Sequence, residues 1–339
     1  MTPLRIAIIG SGSMGHTHAV GWSATDATIV GVVGLDRPKS ERFAAAFGVQ
    51  AFESLDAVLP QVDVVDICVP THLHLDFTLK AATAGKHVLC EKPIARSLED
   101  AQKMIMACRE ANVRLFVGMT VRFFPQYRGI YDAVRAGKVG SPGVIRLTRA
   151  TYRPHSAHDD WFSDFARSGG PILDTLIHDY DYARWLGGDV ERVYARGSAP
   201  DAGGIAEYVQ VLLRFRSGAL GHVEGGWAYP PPLFRTKVEV AGDGGLIEWE
   251  SDTSAPLVTY TEPEPGAVAD VGLPLSPLAE DPYTTMIKHF YDSLMHDKPF
   301  AVTANDALSA LQIGLAAIES MRSGLPVNLA PLPVQPEAA

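Results

Sequence analysis

Along the first third of the chain, short runs rich in valine and isoleucine alternate with stretches whose apolar residues recur at helical spacing. Residues 4–9, 28–33, 63–69, 87–90 and 114–117 read as strands, bounded by Gly, Pro or Asp. Residues 73–84 and 98–111 read as helices, the second with Ser97 as N-cap and Asp100 in its acidic first turn. Strands that alternate with helices imply βαβ units and a parallel sheet, because parallel strands need crossovers. After about residue 140 the rhythm changes. Residues 144–152, 190–196, 207–215, 219–227, 236–241 and 246–249 follow one another as strands with few helices between them. Tight turns at Arg216-Ser217-Gly218 and Gly242-Asp243-Gly244-Gly245 join two pairs. That half predicts an antiparallel sheet, interrupted by one helix over 172–186 and closed by helices over 283–295 and 304–321. Residues 254–277 read as a Pro- and Gly-rich loop, and the tail after Pro326 as frayed.

Composition fits this picture. Of 339 residues, 47% are hydrophobic and 20% charged, which is ordinary for a globular chain of about two domains and excludes bulk disorder. No apolar run approaches the roughly 18 uncharged residues of a membrane helix, and the N-terminus has no basic segment or cleavage site. A formal net charge of −10 opposes tight binding to nucleic acid or anionic lipid. Cys68, Cys90 and Cys108, odd in number and without CxxC spacing, predict neither disulfides nor a zinc site and read as core. The expectation is a soluble, cytoplasmic protein.

Three segments carry chemistry. Gly10-Ser11-Gly12-Ser13-Met14-Gly15 follows the first strand and opens a helix. Glycines there permit a tight turn, close backbone approach to a pyrophosphate and close helix–strand packing. Asp36, at the end of the second strand, is placed to hold both adenosine ribose hydroxyls. Its charge opposes a 2′-phosphate and favours NAD, while Arg37 beside it leaves NADP open. The fourth strand of this reading ends in Cys90-Glu91-Lys92-Pro93, at the sheet edge where open parallel sheets bind ligands. There a lysine can donate to a substrate oxygen, and a cis bond suits the tight turn at Pro93; the alternative is a solvated loop lysine. Third, Asp174, His178 and Asp181 fall at i, i+4 and i+7 of an otherwise apolar helix. An aligned carboxylate and imidazole is what acid–base chemistry requires, although a helix histidine is often structural. DxxxH supplies two ligands and no third, so no metal site is expected.

Smaller candidates surround these. Thr71 and His74 could reach the cofactor riboses, or cap a helix and lie on the surface. Arg122 and Tyr127 lie at the expected domain junction, where Arg122 is a further cofactor candidate and both could be structural alone. His155, His158 and Trp161 sit in a polar loop, where a sugar could stack on the tryptophan.

The glycine turn, the segment from Ala84 through Lys92-Pro93, and the segment from Gly169 to Asp181 together resemble the glucose–fructose oxidoreductase/inositol dehydrogenase (Gfo/Idh/MocA) family, over residues 1 to about 325. The resemblance implies an α/β fold. An N-terminal Rossmann domain (1–122) would bind NAD, and a C-terminal α+β domain (123–339) with a large, open, mostly antiparallel sheet would bind substrate and form a homodimer or homotetramer. It implies catalytic roles for Lys92, Asp174 and His178, a cofactor role for Glu91, and oxidation of a cyclic polyol or sugar. Reduction of another carbonyl compound, or nucleotide sensing without catalysis, are the alternatives.

Overall fold

The computed structural model describes residues 3–154, 160–198, 207–251 and 280–332. The chain divides into two compact units, the first running to Phe123 and the second beginning at Phe124. The first contains β1 (Arg5–Ile9), α1 (Ser13–Ser23), β2 (Thr28–Val33), α2 (Arg37–Phe47), β3 (Gln50–Phe52), α3 (Leu55–Val58), β4 (Val64–Ile67), α4 (His74–Thr83), β5 (His87–Cys90), α5 (Leu98–Glu110) and β6 (Leu115–Val117). Its six strands are all parallel, in the order β3-β2-β1-β4-β5-β6. That is the doubly wound arrangement, with the strand order reversing between β1 and β4. Ile6, Ala7 and Ile8 of β1 and Val64, Val65 and Ile67 of β4 are fully buried, as strands covered on both faces must be. Gln50–Phe52 adds an edge strand too short to announce itself by pattern.

The second unit contains α6 (Pro125–Arg135), β7 (Pro142–Ala150), α7 (Phe165–Ser168), α8 (Gly170–Asp174), α9 (Ile177–Gly187), β8 (Val190–Ser198), β9 (Tyr208–Phe215), β10 (Leu220–Gly226), β11 (Arg235–Gly242) and β12 (Gly245–Glu250). After these come α10 (Pro282–Met295), α11 (Ala304–Ser323) and β13 (Val327–Asn328). Seven strands pair in the order β12-β11-β7-β10-β9-β8-β13. All neighbours are antiparallel except β7 and β10, which run parallel. The parallel pair arises because the chain leaves β7 through the helices, and the β8–β9–β10 meander then returns β10 to its side. The sheet is therefore mixed. Burial alternates strictly along β9, so one face is covered and the other open.

Three expectations change. Residues 327–329, expected to be frayed, extend the sheet: β13 pairs with β8, and Leu329 N donates to Glu191 O. Of the two closing helices expected in the second domain, α10 belongs to the first unit. There Ile287 fills the space left by Gly21 of α1, and Phe290 packs edge-on against Trp22. The single helix over 172–186 is two, α8 and α9, broken at Thr175 and Leu176. The expected loop over 254–277 lies outside the described residues. Among the described residues, no helix is long and apolar enough to cross a membrane.

Candidate active site

In the first unit the glycine turn leaves β1 and enters α1. Gly10 has φ +117°, and a Cβ there would stand 2.2 Å from the Cys68 carbonyl oxygen. A Cβ on Gly15 would stand 2.0 Å from the Gly10 carbonyl oxygen, so both positions exclude a side chain. At Gly12 an added Cβ meets nothing within 4 Å, so the turn presents bare backbone to open space. Gly12 caps α1 without a side chain, and Ser13 and Met14 form its first turn. A backbone cradle at the positive end of a helix fits a pyrophosphate. Asp36 lies three residues beyond β2 and caps α2, accepting from Lys39 N at 3.0 Å. Arg37 is exposed and its Nε donates to Glu41 at 2.7 Å. A dinucleotide therefore fits this turn.

At the carboxyl end of β5, Glu91 is buried and Lys92 half-buried, and the Lys92–Pro93 bond is cis. Glu91 Oε2 accepts from Lys92 N at 3.2 Å, and Oε1 lies 3.1 Å from His18 Nε2. Behind them His18 Nδ1 is 3.0 Å from both oxygens of Asp66, which also accepts from Trp22 Nε1 at 2.7 Å. Cys68 Sγ is 3.2 Å from His18 Nδ1, so this cysteine joins a polar cluster and is not simple core. His18, Asp66 and Cys68 bring three metal-ligating atoms within 4.8 Å of one another. Burial pushes the Cys68 thiol well up from its ordinary range, which opposes the thiolate that a metal needs.

Two residues expected at the cofactor make structural contacts within the unit. His74 is buried, with Nδ1 2.9 Å from Pro93 O and Nε2 2.9 Å from Val69 O, so it staples the ends of β4 and β5. Arg122 is buried and donates from Nη1 to Ala301 O at 3.1 Å and to Asp306 at 3.3 Å, tying down the chain after α10. Thr71 is buried at the start of a short 3₁₀ turn.

In the second unit Asp174 ends α8 and His178 stands in the first turn of α9. Between them Leu176 N reaches back five residues to Pro171 O, at 2.9 Å, a wide turn that separates the two helices. Trp227 Nε1 donates to Thr175 Oγ1 at 2.7 Å within this break. Asp174 is buried, and of residues 177–183 only His178 retains exposure. The next residue, Asp179, is buried and paired with Arg149 of β7, which no sequence pattern indicated. Trp161 lies in a 3₁₀ turn with its ring 4.1 Å from that of Phe162. His155 and His158 lie outside the described residues.

Comparison with known proteins adds an independent finding. Residues 4–119 match the family model described as "Oxidoreductase family, NAD-binding Rossmann fold", and residues 127–248 match the GFO/IDH/MocA C-terminal domain. The chain is 30% identical over 341 residues to a myo-inositol 2-dehydrogenase of Thermotoga maritima, covering 96% of this chain and 98% of that protein. It is 31% identical over 329 residues to a 1,5-anhydro-D-fructose reductase of Ensifer adhaerens, covering 94% and 97%. Among solved structures, GenD2 from gentamicin A biosynthesis, in complex with NAD, is similar with a TM-score of 0.86 and 26% identity, covering 98% and 97%.

Proposed function

The chain belongs to the Gfo/Idh/MocA oxidoreductase family, and from that premise we propose that it is an NAD-dependent dehydrogenase of a cyclic polyol or sugar. The observation that carries the reading is the Gly10–Gly15 turn: two positions that exclude a side chain flank a third that faces open space, with Asp36 beyond β2. The first domain, close to residues 1–122, holds the dinucleotide, and the second holds substrate. When bound, the nicotinamide supplies the hydride chemistry. In the oxidation direction His178 accepts the hydroxyl proton, Lys92 donates to the same oxygen, and Asp174 orients the substrate and polarises His178. Glu91 contacts the nicotinamide ribose, and Trp161 and His155 contribute to the substrate end. The enzyme is cytoplasmic and assembles as a homodimer or homotetramer through the open face of the second sheet, where Leu212, Leu220 and Leu246 are each more than half exposed.

The likeness to a 1,5-anhydro-D-fructose reductase favours a second reading, in which the same residues run the reaction as a reduction of a sugar-derived carbonyl. The test is the growth or loss of NADH absorbance across a panel of inositols, aldoses and keto-sugars. Turnover of a polyol or aldose with NAD supports the first reading. Turnover of a keto-sugar alone supports the second. Binding of NAD without turnover of any of them contradicts both and leaves a nucleotide sensor.

A further inference from the structure

The proposed mechanism does not use the buried group behind Glu91. His18 lies on α1, three residues beyond Gly15, and is completely buried. Its two ring nitrogens face two different carboxyl groups, Nδ1 that of Asp66 and Nε2 that of Glu91. A neutral imidazole has one donor and one acceptor nitrogen. In that form one lone pair would face a carboxylate oxygen across 3.0 or 3.1 Å with no water to intervene, a strongly repulsive contact in a buried site. The arrangement is satisfied when both nitrogens carry hydrogen and donate, so the ring is an imidazolium between two carboxylates. Trp22 Nε1 donates to Asp66 and Lys92 N donates to Glu91, which relieves the remaining negative charge.

Burial alone would lower the His18 pKa, but Asp66 and Cys68 beside it carry it well above the ordinary histidine range. Burial likewise pushes Glu91 up, and the His18 hydrogen bond and charge, with Lys92 and His74 nearby, bring it below the usual carboxylate range. The groups that face His18 are Asp66 and Cys68 from the end of β4, Glu91 from the end of β5, and Trp22 on its own helix; every one of them favours or tolerates the cation.

The chain thus carries a rigid link from the dinucleotide-binding helix to the residue next to Lys92. We propose that His18 is a positioning residue: as the middle member of an Asp66–His18–Glu91 relay it fixes the Glu91 carboxylate, and through the Glu91–Lys92 hydrogen bond the Lys92 backbone, for the nicotinamide half of the cofactor. The inference rests on the reading that this unit binds NAD with Glu91 and Lys92 at the nicotinamide end. His18 touches neither cofactor nor substrate and acts only through Glu91.

The experiment is a double-mutant cycle on the full chain with His18→Gln, Glu91→Gln and both, in which NADH and ADP affinities are measured separately with kcat. ADP lacks the nicotinamide ribose and reports the adenosine end alone. Each single variant should weaken NADH by about ten-fold or more and lower kcat, as loss of an orienting partner does elsewhere. ADP affinity should stay at the wild-type value, and the double variant should be no worse than the worse single. Equal losses of NADH and ADP affinity, or losses that add across the cycle, would overturn the proposal in favour of a merely structural histidine. A wild-type chain that binds neither nucleotide would overturn the underlying reading instead. The ¹⁵N shifts of the His18 ring in the wild type, which need no variant to fold, give a second readout. They should be those of an imidazolium from about pH 6 to about pH 8, and titration near the free-histidine value of about 6.5 would overturn the relay.

Discussion

Arg149 Nε donates to Asp179 Oδ2 at 2.6 Å, and the side chains are only 4% and 1% exposed. Nη2 of the same guanidinium reaches Oδ1 at 3.2 Å and the Tyr127 hydroxyl at 3.4 Å. The pair bolts α9 to β7 one residue beyond His178, so the helix that presents the imidazole has a fixed rotation about its axis. Burial raises the Asp179 pKa and the guanidinium opposes that rise, so neither group is comfortable without the other.

Removal of one partner leaves the other charge buried and unpaired, a loss of about 3–5 kcal/mol in comparable pairs. Asp179→Ala should therefore lower unfolding free energy by about that amount, measured by chemical denaturation. The Arg149→Met/Asp179→Leu double variant should recover most of it. A single-variant loss within the ordinary surface range would contradict the pairing.

Cofactor preference follows from Asp36. This residue also caps α2, so Asp36→Ala would confound charge with a capping loss of about 1 kcal/mol. Asp36→Ser keeps a capping oxygen and removes only the charge. The ratio of kcat/KM for NADP over NAD should rise by about ten-fold or more, since an apposed carboxylate and phosphate are worth at least about 1.4 kcal/mol at short range. A wild-type enzyme that already prefers NADP would make Arg37 the determinant.

Stability should fall as pH rises above neutrality. The folded pKa of His18 lies well above its unfolded value, so its contribution is complete below about 6.5 and is lost as pH rises toward the folded value. Over about pH 7 to about 8, where unfolded cysteines are still mostly protonated, the slope should approach a loss of about 1.4 kcal/mol per unit. His74, His87 and His289, whose pKa values are lowered mainly by burial, oppose this slope near pH 7, where each still holds about a quarter of a proton when unfolded, and fall silent by about pH 8. Denaturation midpoints at a series of pH values check this, with His18→Gln as the variant that should lack the slope.

Assembly is read by light scattering. The open face of the second sheet sets Tyr194, Leu212 and His222 side by side across β8, β9 and β10. The wild type should scatter as a dimer or tetramer at micromolar concentration, and Leu212→Glu with Leu220→Lys should shift it toward monomer. A monomeric wild type would contradict the proposed interface.

Much of this was legible in the chain. Both sheets follow from runs and alternation, because parallel strands buried on two faces and strands buried on one leave different patterns. The glycine turn needs only its neighbours, and Gly10 and Gly15 are held by contacts within reach of β1 and β4. The single helix expected over 172–186 is broken at Thr175 and Leu176, where a side chain 52 residues away, Trp227, takes part in a way that a helical period cannot foresee. The His18 relay joins residues separated by 48 and 73 positions, and its one visible trace was Asp66, a carboxylate inside the apolar run of β4. His74 and Arg122 were polar residues beside a cofactor motif, and only their backbone partners show that they hold the fold.

The central claim is that His178 carries the proton in a dehydrogenase that binds NAD through the first unit. Turnover of His178→Ala on the best polyol or sugar substrate, with NAD affinity measured on the same preparation, tests it most directly. Loss of a positioned acid–base group costs about 10²–10⁴ in rate, so kcat should fall by that factor while NAD affinity is unchanged. Near-normal turnover with intact NAD binding would contradict the assignment.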